Sequence, residues 1–418
     1  MFEFGRDLRK LFEKARESED LGWLELVGAD LVANEAQSMC IDAGRVSCAQ
    51  PFDSWMRASA LWREHARRTG QRASLDRAAA AASDAARHTA TPDQTAMAAL
   101  ESGEIHLLRF DLFGGPEKLN AAVADIQSLT ADRAAPRSAA AALHARLSPR
   151  RARLSGEPAA MLDAAALLDA ALHGAKARPA TDSDELRRDR AALGLEAGVA
   201  RRDGRLLDQA GRDLRVLVES ASPDYRPLTR ARALALAGAG LMALARLAKD
   251  EAATAQGQAL FAAAADQFTP DHSPLDWVAV QLAPGDTETP LSRLCEAESL
   301  TREPGLILGA LARERRLAAE TALAEAMGDV DGLTGLEAVV RRGLVQSAGA
   351  QPLEWVADQI GMAHLALAKA RLTGCEPRAV GMMLAEAMET AREWGAPALV
   401  QRAMLVQVQA ANAEGVRA

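Results

Sequence analysis

An all-α chain of stacked antiparallel helix pairs, an α-solenoid, is the fold class that three observations predict. Prolines recur at a near-constant interval ahead of helical stretches, glycine-centred turns fall between them, and strand patterns are missing. The 418 residues exceed the ~250–300 at which a single hydrophobic core stops growing, so several domains or a modular stack are required. Apolar residues make up 49% of the chain but aromatics only 4%, and much of the apolar share is alanine, a strong helix former that lets helices approach closely. No run alternates apolar and polar residues, so no sheet is expected.

The helix starts are marked by Pro51, Pro92, Pro136, Pro179, Pro227, Pro274, Pro304, Pro352 and Pro397, at intervals of 41, 44, 43, 48, 47, 30, 48 and 45. Proline suits the first helical turn, where its missing N–H costs nothing, and disrupts a helix interior. Between these prolines stand Gly70, Gly115, Gly156, Gly204, Gly285, Gly328 and Gly374, with the missing member expected near Lys249–Asp250. Glycine suits the left-handed residue that ends a helix. The alternation describes helix A, turn, helix B, repeated about eight to nine times and followed by a closing helix at 397–414. One such pair cannot bury its apolar stripe, whereas stacked neighbours can. The 30-residue interval marks a local defect, because PLDWVAVQL stops at Pro284–Gly285 and leaves short helices there.

Residues 1–20 differ from the rest of the chain. Phe4, Leu8, Leu11, Phe12 and Ala15 share one helical face, and Arg6, Arg9, Lys10, Lys14 and Arg16 occupy the rest. Three readings fit this amphipathic helix. It caps the open end of the first repeat, it docks through Phe4, Leu8, Leu11 and Phe12 on a partner or a second copy, or it lies on a membrane surface. Glu13, Glu17, Glu19 and Asp20 weigh against the last.

The segments PLDW at 274–277 and PLEW at 352–355, the second continuing VADQIGMAHLALA, resemble the opening of bacterial tetratricopeptide (TPR) repeats. Ile360, Gly361 and His364 stand where that family places Leu, Gly and Tyr, and the turns MGD at 327–329 and TGCEP at 373–377 resemble its A-to-B turn. The resemblance is clear over about the last 150 residues and architectural before them. It divides the chain into the helix 1–20, N-terminal helical repeats at 21–226 and TPR-like repeats at 227–418. The period near 45 is longer than the roughly 34 of TPR and falls within the roughly 40–47 of HEAT and armadillo repeats. The resemblance implies a right-handed solenoid whose A helices line a concave groove that holds a peptide or helix of another protein. Arg57, Glu101, His106, Arg230, Gln281, Asp358, Gln359 and His364 are the groove candidates. Trp277 and Trp355, at one place in their repeats, read as packing anchors.

A net charge of −8 argues against a general nucleic-acid footprint, and the densest basic cluster, Arg146, Arg150, Arg151 and Arg153, reads as a solvated helix end. Cys40, Cys48, Cys295 and Cys375 form no CxxC pair, so neither zinc nor a disulfide framework is expected. The seven histidines include no i,i+4 pair, and no GxSxG, HExxH, P-loop or dinucleotide fingerprint occurs, so no catalytic residue and no cofactor are expected. The start lacks a secretory apolar core and no later stretch reaches ~20 uncharged apolar residues, which places the protein in the cytoplasm and argues against a membrane role. Few lysines, many arginines and the alanine excess mark a GC-rich bacterial genome. The expected function is therefore a non-enzymatic scaffold, adaptor or client-holding chaperone. A sensor enclosing a small ligand or signal peptide is the alternative, and an α-helical enzyme the third.

Overall fold

The computed structural model describes residues 21–127, 129, 134–174, 180–283, 289–375 and 380–415. The amphipathic N-terminal segment with its face of Phe4, Leu8, Leu11 and Phe12 lies outside them, and so does Gly285. Among the described residues there are eighteen α-helices, one short 3-10 helix at Leu21–Leu26, and no strand. In chain order the helices are α1 (Ala29–Ala43), α2 (Pro51–Thr69), α3 (Arg72–Arg87), α4 (Pro92–Phe113), α5 (Pro116–Gln127), α6 (Ala134–Ser155), α7 (Pro158–His173), α8 (Ala180–Arg201) and α9 (Gly204–Ser220). They continue with α10 (Pro227–Ala248), α11 (Glu251–Ala265), α12 (Pro274–Leu282), α13 (Leu291–Leu300), α14 (Ile307–Ala326), α15 (Val330–Ser347), α16 (Pro352–Thr373), α17 (Val380–Glu393) and α18 (Pro397–Gly415).

Every proline read as a helix start lies in or just before an even-numbered helix, which makes α2 to α17 eight pairs with α18 behind them. The even helices are the A helices. Each described neighbour packs on the next from α6 to α11 and again from α12 to α18, and in addition α6 meets α8, α8 meets α10, α12 meets α14, α14 meets α16 and α16 meets α18. The shortened pair at the 30-residue interval is α12, nine residues long, with α13, ten residues long. One proline departs from the pattern: Pro149 sits inside α6, and the Ser148 hydroxyl and Arg150 guanidinium donate to the His144 and Arg146 carbonyls beside it.

The turn chemistry follows the expected positions with two changes. Gly70, Gly115, Gly156, Gly328 and Gly374 all hold positive φ. Where no glycine was available, Lys249 itself takes the left-handed conformation at φ 54°, and Asp250 accepts hydrogen bonds from the Ala252 and Ala253 amides to start α11. Before α9 the left-handed residue is Arg202, also at φ 54°, while Gly204 opens the helix, so the turn lies two residues earlier than its glycine suggested.

By contacts the chain forms two compact units, residues 1–65, 77–103 and 125–273 in the first and 66–76, 104–124 and 274–418 in the second. In the first unit, Glu25 accepts from the Thr229 amide at 2.8 Å and Ala29 N–H donates to the Asp271 carbonyl at 3.3 Å. Those residues are some 200 apart in sequence. Here α10 and α11 cross with glycine facing glycine: a Cβ on Gly238 would come within 3.0 Å of the Gly257 carbonyl, and one on Gly257 within 2.9 Å of Met242. In the second unit, the α2–α3 turn at Gly70 lies against Leu275 and Leu306, and the α4–α5 turn at Gly114 lies against the Trp394 carbonyl so closely that a Cβ would overlap it. Each unit thus joins early and late repeats as well as neighbours, which neighbour-only stacking does not foresee.

The cores are layers of Ala, Leu and Val between adjacent helices. The largest unites Val356, Ile360, Ala363 and Leu367 of α16 with Leu384 and Met388 of α17 and Leu399, Ala403 and Val406 of α18. Trp277 is buried and Trp355 packs half-buried on that layer, in keeping with a packing role for both. All four cysteines are free thiols.

Candidate functional site

The charged residues of the A helices converge on one another. In the second unit, Glu314 of α14 is fully buried and receives both arms of the Arg402 guanidinium from α18, at 2.7 and 2.9 Å, while His364 Nε2 of α16 lies 3.2 Å from its Oε1. Three successive A helices therefore meet at a single carboxylate. Burial, the largest influence, pushes this carboxyl up, but the His364 hydrogen bond and the Arg402 charge outweigh it and hold Glu314 below its usual range.

One residue earlier, Arg313 grips Asp358 of α16 through two hydrogen bonds of 2.6 and 3.0 Å. Burial raises the Asp358 carboxyl above its ordinary value; Arg313 pulls the other way, and Glu354 and Glu298 add to the rise. Above this pair lies Gly343 of α15, where a Cβ would overlap the Asp358 carboxylate and crowd Arg313. The glycine is required by the ion pair beneath it, not by a turn.

The same device recurs in the first unit. Arg63 of α2 and Glu101 of α4 form a two-armed pair at 2.9 and 3.0 Å, with the Ser59 hydroxyl 2.9 Å from the same carboxylate. Arg146 of α6 reaches Glu185 at 2.7 Å, Arg150 reaches Asp189 at 2.7 Å and Arg153 reaches Glu196 at 2.7 Å, all on α8. This corrects the reading of the cluster as a solvated helix end: only Arg151 is exposed, and the other three clasp the next A helix. Burial raises Asp189, yet the Arg150 and Arg146 guanidinium groups more than reverse it and lower its carboxyl.

The groove candidates fall into four groups. Glu101, Asp358 and His364 are members of these clasps. The Arg230 guanidinium donates to the Val218 and Ala221 carbonyls and so closes the C-terminal end of α9. Arg57 on α2, His106 on α4 and Gln281 on α12 are half-buried, and the Gln281 backbone carbonyl accepts from the Thr289 hydroxyl at 2.9 Å. Gln359 Oε1 is enclosed and accepts no hydrogen bond. The structure brings together Asp358 and His364 through adjacent residues of α14; the other candidates are dispersed.

Arg63, Arg313, Glu314 and Arg402 escaped sequence reasoning. The signal that could have found them is separation: the partners stand 38, 39, 43, 45 and 46 residues apart in the pairs 63/101, 150/189, 153/196, 313/358 and 325/371, about one repeat each. Charge of opposite sign one period away is a register mark between successive A helices.

Chemically the clasps are ion pairs. Each carboxylate is engaged by a guanidinium, which keeps its own proton at all accessible pH, and Glu314 also meets the His364 imidazole. Among the described residues no three His, Cys, Asp or Glu side chains converge to hold a metal ion. One described helix, α10, is long and apolar enough to cross a membrane by length and composition; its Leu228, Ala231, Ala233, Gly238 and Met242 are buried in the packing described above. No protein-family model matches this chain, and no curated protein sequence does.

Proposed function

We propose that this chain is a non-enzymatic protein–protein interaction module of the cytoplasm, a scaffold, adaptor or client-holding chaperone, built as a right-handed TPR-like solenoid and working without a cofactor. The observation that supports this reading is the packing of successive A helices within each unit, α6 on α8 on α10 and α12 on α14 on α16 on α18, each with an odd helix beside it, as stacked repeats would have it. The inter-repeat clasps keep the surface of such a stack in one shape, which lowers the ordering cost of binding an extended or helical segment. Gln359, half-buried on the A helix α16, is the candidate used to test that surface.

A second reading, a sensor that encloses a small ligand or signal peptide, draws support from the abutment of the α2–α3 and α4–α5 turns on Leu306 and Trp394, which draws the second unit tightly together. Two measurements separate these. Affinity capture with the full chain should retain a protein partner that Gln359→Arg releases, with the folded signal of both variants alike. Capture of nothing by either protein overturns the scaffold. A specific thermal stabilisation by a metabolite, absent with peptides, would select the sensor.

A further inference from the structure

We propose that the turn between α2 and α3 is an autoinhibitory latch: it occupies the apolar notch where the A helices α12 and α14 begin, and it withdraws while the clasped repeats stay folded. The irregularity around Pro304 supplies the receiving end. Pro227, Pro274, Pro352 and Pro397 are the first residues of their helices, whereas α14 begins only at Ile307 and leaves Glu303, Pro304 and Gly305 as a loop. Gly305 holds φ 79° and donates its N–H to Glu354 of α16 at 2.6 Å, which fixes the loop from behind.

The bolt is Arg72. Its guanidinium donates to the Pro304 carbonyl at 3.0 Å, stands 3.8 Å from the Glu303 carboxylate and lies over the Phe113 ring, 4.2 Å from its centre. Arg72 is also the first residue of α3, where the helix dipole disfavours a cation and no acid in the first turn offsets it. A local rule is broken there in favour of a tertiary contact. Two glycines make the fit: a Cβ on Gly305 would come within 3.2 Å of that guanidinium, and one on Gly70 within 2.9 Å of Leu306 and 3.1 Å of Leu275. With the turn seated, Leu275 and Leu306 are both buried.

A latch must yield before the body it closes. The side chains of Arg72 and Glu303 are 47% and 29% exposed, against 9% and 0% for Arg402 and Glu314. Exposed pairs are screened by salt and contribute little, so this joint opens at lower cost than the clasps. The latch rests on the scaffold reading in one respect: a partner lying along the A helices reaches the starts of α12 and α14 only by displacing the turn.

The test is hydrogen exchange of the full chain. The amides of Leu75, Gly305 and Leu306, which donate to Gln71, Glu354 and Glu303, report the two sides of the joint. Arg72→Ala should speed their exchange about tenfold, the loss expected of one charge-assisted hydrogen bond and one cation–π contact, and leave residues 353–370 of α16 unchanged. Raising salt to about 1 M should act on the wild type in the same direction and at the same amides. Equal rates in variant and wild type overturn the latch. So does a uniform rise across 274–418, which would make Arg72 an ordinary stabilising contact. Should the variant fail to fold, the salt comparison on the wild type decides by the same two criteria. Occupancy of the notch is read with a labelled peptide of residues 66–76, which should bind Arg72→Ala about tenfold more tightly than the wild type, whose own tethered turn competes with it. Equal binding to both proteins, or to neither, overturns the autoinhibition. If these results hold and affinity capture finds no partner, the scaffold reading fails and the latch stands.

Discussion

The contact between α10 and α11 and the junction of α14, α16 and α18 solve one problem with opposite chemistry. Both must hold helices of a repeat close together. The first does it by removing side chains, with Gly238 and Gly257 letting backbone approach backbone. The second does it by burying charge, with Glu314 shared between Arg402 and His364. Packing by subtraction tolerates no added volume, and packing by ion pair tolerates no lost partner. Buried pairs are weak evidence for net stability, because desolvation offsets the attraction, yet breaking one is costly. Their value here is register.

The largest expected effect comes from breaking the second kind. Glu314→Ala should lower unfolding free energy by about 3–5 kcal/mol, since it strands a buried guanidinium, and urea denaturation measures it. Replacing all three partners together, Glu314→Leu with His364→Leu and Arg402→Met, should recover most of that loss. If the single and triple variants are equally destabilised, the ion pair is not what the site depends on. Against the first kind, Gly257→Val should cost about 1–3 kcal/mol through overpacking on Met242 and the Gly238 carbonyl, read by the same method.

Acid sharpens the contrast. The folded carboxyl of Glu314 lies below its unfolded value, so its contribution is fully present above the unfolded range near pH ~4 and is lost as pH falls through the folded value. Asp189 follows the same sign in the first unit. The urea midpoint of the wild type should fall steeply below about pH 4, and Glu314→Gln should flatten that fall. An unchanged slope would remove Glu314 from the account.

Two smaller effects concern the edges. Lys249→Gly should stabilise by about 0.5–1 kcal/mol, because glycine holds the left-handed turn without the Cβ penalty, and thermal unfolding should register a higher Tm. Arg371→Ala removes a half-exposed pair with Glu325 and should cost no more than about 1 kcal/mol. A loss as large as that of Glu314→Ala would mean that exposure does not grade these clasps.

Much of the fold was legible because backbone rules speak locally. Pro51, Pro227, Pro352 and Pro397 begin helices since proline lacks the donor a helix interior needs, and Gly70, Gly156, Gly328 and Gly374 end them since they accept positive φ. Even the turn without a glycine falls where the period puts it, at Lys249. Pro149 was not legible as an interior proline, because a proline preceded and followed by helix-forming sequence reads locally as a helix boundary. The contacts of Gly114 with Trp394 and of Glu25 with Thr229 join residues hundreds apart, which no local pattern encodes. At the site, helix A polarity suggested Glu101, Asp358 and His364 but not their roles, since a polar residue facing a groove and one facing a neighbouring helix look alike until the neighbour is known.

The one-period spacing of the clasps also bears on how such a chain can be cut and rejoined. Excising 352–396 would remove one whole repeat and bring Pro397 to the place of Pro352, a change that looks harmless in an array of equivalent modules. It would also set Ala403 where Asp358 stood and leave Arg313 without its carboxylate. The modules are alike in outline and different in their locks, so each accepts only the neighbour it was matched to. Recombination within this chain is limited by pairing, much as spare parts cut to one pattern but keyed individually cannot be exchanged.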